Sequence, residues 1–393
     1  MKFQGMTIGV PKEIMKSERR VSATPDTVKK MVAEGAKVLV EAGAGEGAFF
    51  VDALYVEAGA QIEPDVSKIF AQADTILKVK EPQFNEKLGK HESELLRDGQ
   101  YLITFLHPAS PVNHDSMKAL AATGCISLTL DGIPRITRAQ AMDALSSMST
   151  VAGYKSILTS ASKLPKFLPM TGTAVGAIKP SNVLVIGTGV AGLSAVATAK
   201  RLGAVVTAID IRPDAVEQAG SLGAKTHDVG IPADQAIGEG GYAKLLSDEW
   251  LLKERESIKE IVKNSDIIIL CALVPGKQAP ILITEEMVKS MAPGSVIVDI
   301  SIDQGGNCEC TDPANVTTVH GITIDGTKNI PGSVPTSSTW MFAQNIFNLL
   351  AYLAKDGKIV LDRNDEIVAK TLTTIDKEIV HAGAREAMGL GGI

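Results

Sequence analysis

Short runs of β-branched and aliphatic residues recur along the first third of the chain, at 7–10, 38–41, 75–79, 101–105 and 125–129, each long enough for one strand. Between them, 25–34 and 112–122 carry apolar residues at helical spacing, so the strands are expected to run parallel with crossover helices. A second series begins after Pro180, with strands expected at 183–186, 205–210, 266–270 and 296–299. This alternation predicts an α/β protein with two doubly wound, Rossmann-like parallel-sheet domains joined by long helices. The segment 137–161 reads as one long helix leading into the second series, and 337–353 as another returning from it. The expected organisation is a discontinuous N-terminal domain, 1–136 plus 330–393, a linking helix at 137–161, and a second domain at 162–329, with a cleft beside the connecting helices. The stretch 230–244 holds four glycines and little periodicity, and reads as a mobile loop.

Composition fits a globular protein with one or two sizeable cores, 45% of its 393 residues being hydrophobic and 21% charged, and the length suggests two domains. With 39 basic against 45 acidic side chains the formal charge is −6, which argues against nucleic acid as a partner. The longest apolar pieces, such as 267–274, are strand-sized and far short of a membrane span. The opening MKFQGMTIGVPKE lacks the apolar core of a secretory signal, so a cytoplasmic protein is expected. Cys125 and Cys271 lie in apolar runs and read as buried thiols, while Cys308 and Cys310 form a lone C-x-C, so no metal is expected.

The strongest local signal is Val183-Leu-Val-Ile-Gly187-Thr-Gly189-Val-Ala-Gly192, a strand running into G-x-G-x-x-G and then a helical pattern over 193–202. Gly187 permits the tight turn, Gly189 lets backbone N–H groups approach a pyrophosphate, and Gly192 allows close helix–strand packing. The next expected strand ends in Asp210, placed to accept hydrogen bonds from an adenosine ribose, which favours NAD(H) over NADP(H). Arg212 could instead receive a 2′-phosphate, and glycines serving only a structural turn are the plain alternative. Further on, Ala272-Leu273-Val274-Pro275-Gly276 follows a strand and either lines the same crevice or is an ordinary Pro-Gly turn.

The run Arg135-Ile-Thr-Arg138-Ala-Gln140-Ala-Met-Asp143-Ala-Leu-Ser146-Ser147 concentrates polar groups at the start of the linking helix. On one continuous helix Gln140, Asp143 and Ser146 would share a face. They could hydrogen-bond a nicotinamide and its ribose. Equally, Thr137 with Gln140 could form a capping box and the arginines could be solvated.

At these residues the sequence resembles the soluble NAD(H)-binding alpha component of proton-translocating nicotinamide nucleotide transhydrogenase, and is similar to the related alanine dehydrogenases. The likeness runs from Gly9-Val-Pro-Lys-Glu through Arg19-Arg-Val, Lys78-Val-Lys-Glu-Pro82, the glycine fingerprint and Pro293-Gly294-Ser-Val-Ile-Val-Asp299 to Asn329-Ile-Pro-Gly-Ser-Val-Pro335. The resemblance implies that Arg135, Gln140, Asp143 and Ser146 surround the nicotinamide end, with Tyr242 closing over the cofactor from the mobile loop. It implies a cofactor-binding set of Arg135, Arg138, Gln140, Gly187, Gly189, Val190, Gly192, Asp210, Ile211, Arg212, Gly241 and Leu273. The positions matching the alanine dehydrogenase substrate set hold Arg20, Lys80, His107 and Asp303, where cations would clamp a carboxylate and His107 would act as acid and base. The glycine-rich turn that alanine dehydrogenases carry before the second domain is replaced here by Pro169-Met-Thr-Gly-Thr-Ala-Val-Gly176.

The function these readings imply is an NAD(H)-binding subunit that passes hydride between NAD(H) and NADP(H), the latter presented by a partner. A homodimer, membrane-embedded and NADP-binding partner subunits, and a peripheral place at the inner membrane follow from the resemblance. An alanine dehydrogenase and a non-catalytic NAD-sensing subunit are the alternatives.

Overall fold

The computed structural model describes residues 1–238, 243–274 and 277–391. The chain divides into two compact units, 1–148 with 332–393, and 149–331.

In the first unit six strands, β1 (Thr7–Val10), β2 (Lys37–Glu41), β3 (Gln61–Glu63), β4 (Thr75–Leu77), β5 (Tyr101–Thr104) and β6 (Ile126–Thr129), pair in parallel in the order 3-2-1-4-5-6. Two strands from the far end of the chain, Leu372–Ile375 and Glu378–Ile379, extend the β6 edge antiparallel. Both faces are covered, which is why the strands read as continuous apolar runs rather than alternating ones. Val38, Val40, Leu77 and Ile103 face one core, completed by Phe342, Ile346, Leu349 and Leu350 of the helix Pro335–Leu353. Leu39, Ile76 and Leu102 face the other. The crossover helix α1 (Pro25–Ala33) starts on a Thr24–Thr27 capping box with Pro25 at its first position. The expected helix at 112–122 opens as a 3-10 turn, Pro111–Asn113, and becomes α2 only at His114–Ala122.

In the second unit β7 (Asn182–Ile186), β8 (Val205–Ile209), β9 (Lys225–Thr226), β10 (Ile267–Leu270), β11 (Val296–Asp299), β12 (Val316–Val319) and β13 (Ile322–Asp325) form one sheet in the order 9-8-7-10-11-13-12, parallel except for β12. The order reverses between β7 and β10, and the carboxyl ends of those two strands mark the crevice where doubly wound sheets take ligands. Both units are thus Rossmann-like, as the alternation of strands and helices predicts. Outside the sheet, Thr171–Thr173 and Gly176–Ile178 form an exposed two-stranded hairpin. No helix among the described residues is long and apolar enough to cross a membrane.

The linking segment departs from expectation. Residues 137–161 do not form one helix: a 3-10 turn, Thr137–Met142, ends at Asp143 (φ −74°, ψ 87°), and α3 (Ala144–Lys163) begins after it. The Asp143 carboxylate causes the break, because Oδ1 accepts from Ser146 N at 2.9 Å and Oδ2 from the Ser146 hydroxyl at 2.6 Å. A short acid side chain that satisfies a first-turn amide competes with continuation of the helix through its own backbone. Gln140, Asp143 and Ser146 therefore do not share one helical face. The Thr137–Gln140 capping box does not form either, since Ile136 precedes the turn without a side-chain cap.

Candidate functional site

The glycine turn sits at the carboxyl end of β7. Gly187 has φ +87°, and a Cβ there would lie 2.7 Å from Ala272 N, in the chain leaving β10. A Cβ on Gly192 would overlap the Gly187 carbonyl oxygen, so the turn and the first turn of α4 (Val190–Arg201) fit only as glycines. Gly189 is different: nothing lies within 4 Å of where its Cβ would be. It caps α4 without any side-chain hydrogen bond to the helix amides. An open backbone surface beside uncapped N–H groups fits the pyrophosphate of a dinucleotide. Val190, half-buried, opens the helix.

Asp210 closes this turn from the end of β8. Its Oδ2 accepts from Thr188 N at 2.7 Å, and the Thr188 hydroxyl also reaches Ala215 O at 3.1 Å. Arg212, the alternative receiver of a 2′-phosphate, grips the same carboxylate through Nε (3.0 Å) and its terminal nitrogen (2.9 Å). This fork pairs Arg212 with Asp210, so an ion pair stands beside the turn, with the guanidinium committed to the carboxylate. Ile211 packs on the core beneath. Leu273 is 37% exposed beyond β10; Pro275 and Gly276 of its motif lie outside the described residues, as do Gly241 and Tyr242. The 230–244 stretch is not loop throughout: Ala233–Ala236 forms a helical turn and Ile237 bridges to Ala243.

Sequence reasoning missed two residues here. Glu254, buried on α5 (Asp248–Lys263), has its carboxyl pushed up to about 7 by burial and by the Asp210 charge against the weaker pull of Arg255. Gly153 on α3 lets the start of α4 approach, because a Cβ would strike the Ala191 carbonyl, and the Ser194 hydroxyl then donates to Thr150 O at 2.7 Å. A glycine inside a helical pattern gives no sequence signal of such a crossing.

In the first unit, Arg135 and Gln140 are exposed and Asp143 and Ser146 half-buried. Arg138 is engaged elsewhere, donating to the Tyr352 hydroxyl at 2.7 Å and Asp365 Oδ2 at 2.8 Å.

Of the residues matching the alanine dehydrogenase set, Lys80 and His107 follow β4 and β5 and so lie at the carboxyl edge of the first sheet. His107 Nδ1 is 2.7 Å from Asp131 Oδ1, and its backbone N–H donates to Oδ2 at 2.7 Å, which fixes His107 at φ +46°. Burial opposes a charged imidazole, but Asp131 outweighs it and raises the His107 pKa, with Lys80 pulling the other way. Asp131 itself, despite burial, is held at about 2 by His107. Asp131 is a third residue missed in the sequence. Arg20, 3% exposed, is forked onto Glu18 through Nε (2.8 Å) and its terminal nitrogen (2.6 Å). Asp303 is exposed on the 3-10 turn Ile300–Gln304 of the second unit.

The β1/β4 switch point of the first sheet is filled by charge. Lys78, fully buried, lies 3.1 Å from Glu92 Oε1 and 3.3 Å from Glu13 Oε2, and Glu13 Oε1 accepts from Val79 N at 2.6 Å. Burial raises the Glu13 pKa to about 7 against the attraction of Lys78, with Glu92 adding to the rise. The folded state therefore binds a proton that the unfolded chain releases near 4.5. Stability is expected to fall as pH rises from about 5 to about 7, by on the order of 1–3 kcal/mol. Denaturant unfolding across that window should show the slope in the parent protein and lose it in Glu13→Gln; an equal slope in both assigns it to other groups.

Comparison with known proteins places matches along nearly the whole chain. The family described as alanine dehydrogenase/PNT, N-terminal domain, matches residues 9–152, and alanine dehydrogenase/PNT, C-terminal domain, matches 156–382. A chain of the NAD(P) transhydrogenase alpha subunit from Rhodospirillum rubrum is 43% identical over 380 residues, covering 96% of this chain and 98% of that protein. The crystal structure of a transhydrogenase from Sinorhizobium meliloti superposes with TM-score 0.81 at 35% identity, over 96% of this chain and 99% of that one. An L-alanine dehydrogenase structure gives TM-score 0.81 at 30% identity, over 98% and 99%.

Proposed function

The chain belongs to the alanine dehydrogenase/PNT family, and from that premise we propose that it is the NAD(H)-binding subunit of a proton-translocating transhydrogenase, passing hydride between NAD(H) and NADP(H) held by a partner subunit. The observation that carries the reading is the Gly187–Gly192 turn closed by Asp210, with Arg212 forked onto that carboxylate. The relatives named transhydrogenase subunit alpha supply the reaction class.

A bound nicotinamide supplies the hydride. The α4 amides and open Gly189 backbone hold the pyrophosphate, and Asp210 faces the adenosine ribose, where a 2′-phosphate would have to draw Arg212 off the carboxylate. Arg135, Gln140, Asp143 and Ser146 orient the nicotinamide, and Tyr242 and Gly241 cover it. Hydride exchange between two nicotinamides needs no proton donor, so these side chains act by holding the reacting carbons in line and excluding water. The NADP-binding and membrane-embedded components come from partner subunits, through which a homodimer of this chain associates peripherally with the inner membrane.

Titration of the purified protein should show NADH binding at least about tenfold tighter than NADPH binding. Reconstitution with candidate membrane and NADP-binding subunits should yield NADPH-dependent reduction of an NAD analogue. Equal affinity for the two nucleotides, or no such reduction, removes the reading. A second reading, oxidative deamination of L-alanine, is favoured by the His107–Asp131 pair beside Lys80 and opposed by the Arg20–Glu18 fork. NADH formation from L-alanine and NAD+ by the purified chain alone decides for it.

A further inference from the structure

We propose that Asn307 is a positioning residue for the dinucleotide site, clamping the Ala272 peptide against the glycine turn and so turning the 272–273 edge into an apolar wall for the face of a ring. The inference rests on the reading of the Gly187–Gly192 turn as an NAD(H) site.

The carboxyl ends of β7 and β10 bring Gly187 and Ala272 together, with a Gly187 Cβ position 2.7 Å from Ala272 N and 2.8 Å from its Cα. One side of the Ala272 backbone is thus pressed on the turn. The other is gripped by Asn307, which is fully buried. Its Oδ1 accepts from Ala272 N at 3.0 Å, and its Nδ2 donates to Ala272 O at 2.9 Å and to Pro280 O at 2.8 Å. The Ser301 hydroxyl stands 2.7 Å from Oδ1 and 2.6 Å from Asp299 Oδ1, with one proton to offer the two acceptors.

Asn307 is itself fixed by its backbone. Its N–H donates to Asp299 Oδ2 at 2.9 Å, and its carbonyl accepts from Leu282 N at 2.8 Å and Ile283 N at 3.0 Å. One residue, through its side-chain amide and its backbone, therefore joins the end of β11 to both ends of the chain segment that leaves β10, at the switch point of the sheet.

The chemical consequence lies in what Ala272 can no longer do. Its N–H and C=O are both engaged by Asn307, so at this position the peptide presents its polar atoms to the protein rather than to a ligand, and Leu273 is the exposed side chain next to it. Such a surface suits the flat face of a heteroaromatic base and disfavours a phosphate or hydroxyl. Loss of the clamp frees the Ala272 peptide to turn its polar atoms into the site.

The test combines amide hydrogen exchange with NADH titration on the full chain. In the parent protein the Ala272 amide should be as protected as those of β10. Asn307→Ala should lose that protection and raise the Kd and KM for NADH about tenfold, with kcat in the reconstituted enzyme changed less than about twofold. Ser295→Ala, which removes a buried hydroxyl contact to Ser265 O in the same unit, should lower Tm while leaving Kd within about twofold. Should the alanine variant not fold, Asn307→Asp keeps the acceptor but sets a carboxylate against the Ala272 and Pro280 carbonyls, and the same rise in Kd is expected. An Ala272 amide exchanging at loop rates in the parent protein, or a folded Asn307 variant with parental Kd, overturns the clamp. Absence of NADH binding by the parent protein instead removes the reading of the turn, and the inference falls with it.

Discussion

Gly192→Ala should abolish measurable NADH binding and destabilise the second unit, whereas Gly189→Ala should weaken NADH binding at least about tenfold with little change in stability. The contrast follows from what each new methyl group meets. At position 192 it would overlap the Gly187 carbonyl oxygen, so α4 or the turn must shift. Forced displacement of packed backbone costs about 3 kcal/mol or more and would move every amide of the anion site. At position 189 the methyl group meets nothing within 4 Å. The remaining cost is that of alanine at a helix cap, no more than about 1 kcal/mol, or a few degrees in Tm. A methyl group standing where a pyrophosphate must touch backbone should still obstruct it. Calorimetric titration with NADH and thermal unfolding of both variants check the pair. Unaltered NADH affinity in Gly189→Ala would mean that the nucleotide does not approach this backbone.

The second large effect concerns Asp143, which has two separable roles. As the cap of α3 it accepts from Ser146 N, and asparagine replaces it there at almost no cost. As a charge orienting a nicotinamide it has no such substitute, since a hydrogen bond to an ionised group contributes about 1.5–3 kcal/mol. Asp143→Asn is therefore expected to slow hydride transfer in the reconstituted enzyme roughly 10–100-fold, with Kd for NADH within about threefold and Tm unchanged. Asp143→Ala should add a loss of about 1 kcal/mol in stability. If the asparagine variant turns over normally while the alanine variant fails, Asp143 is a cap and nothing more.

The inner strands of both sheets were legible because strands buried on two faces leave unbroken aliphatic runs, as in Ile267–Leu270 and Val183 to Ile186, whereas β3, β9, β12 and β13 were not expected. The glycine turn was legible because its three glycines stand between such a run and a helical pattern. What escaped depends on single side chains reaching across the fold. Periodicity cannot show that the Asp143 carboxylate ends one helical segment and starts another. Nor does spacing reveal that His107 pairs with Asp131, that Arg138 is engaged with Tyr352 and Asp365, or that Glu254 is buried near Asp210. The short strand Leu372–Ile375, half of it threonine, has too little aliphatic character to stand out and is recruited by the β6 edge.

The first sheet borrows its outer strands, and one core its helix, from 332–393, while the second unit is contiguous in the chain. On a ribosome, at roughly 5–20 residues per second, the helix Pro335–Leu353 emerges about 10–40 s after residue 148 has been made. Throughout that interval Val38, Val40, Leu77 and Ile103 lack the helix that shields them, and the contiguous unit is complete at residue 331, before that helix has been made. The order of completion is thus inverted relative to the order of the chain, and the nascent segment 1–148 is the one that should depend on chaperones.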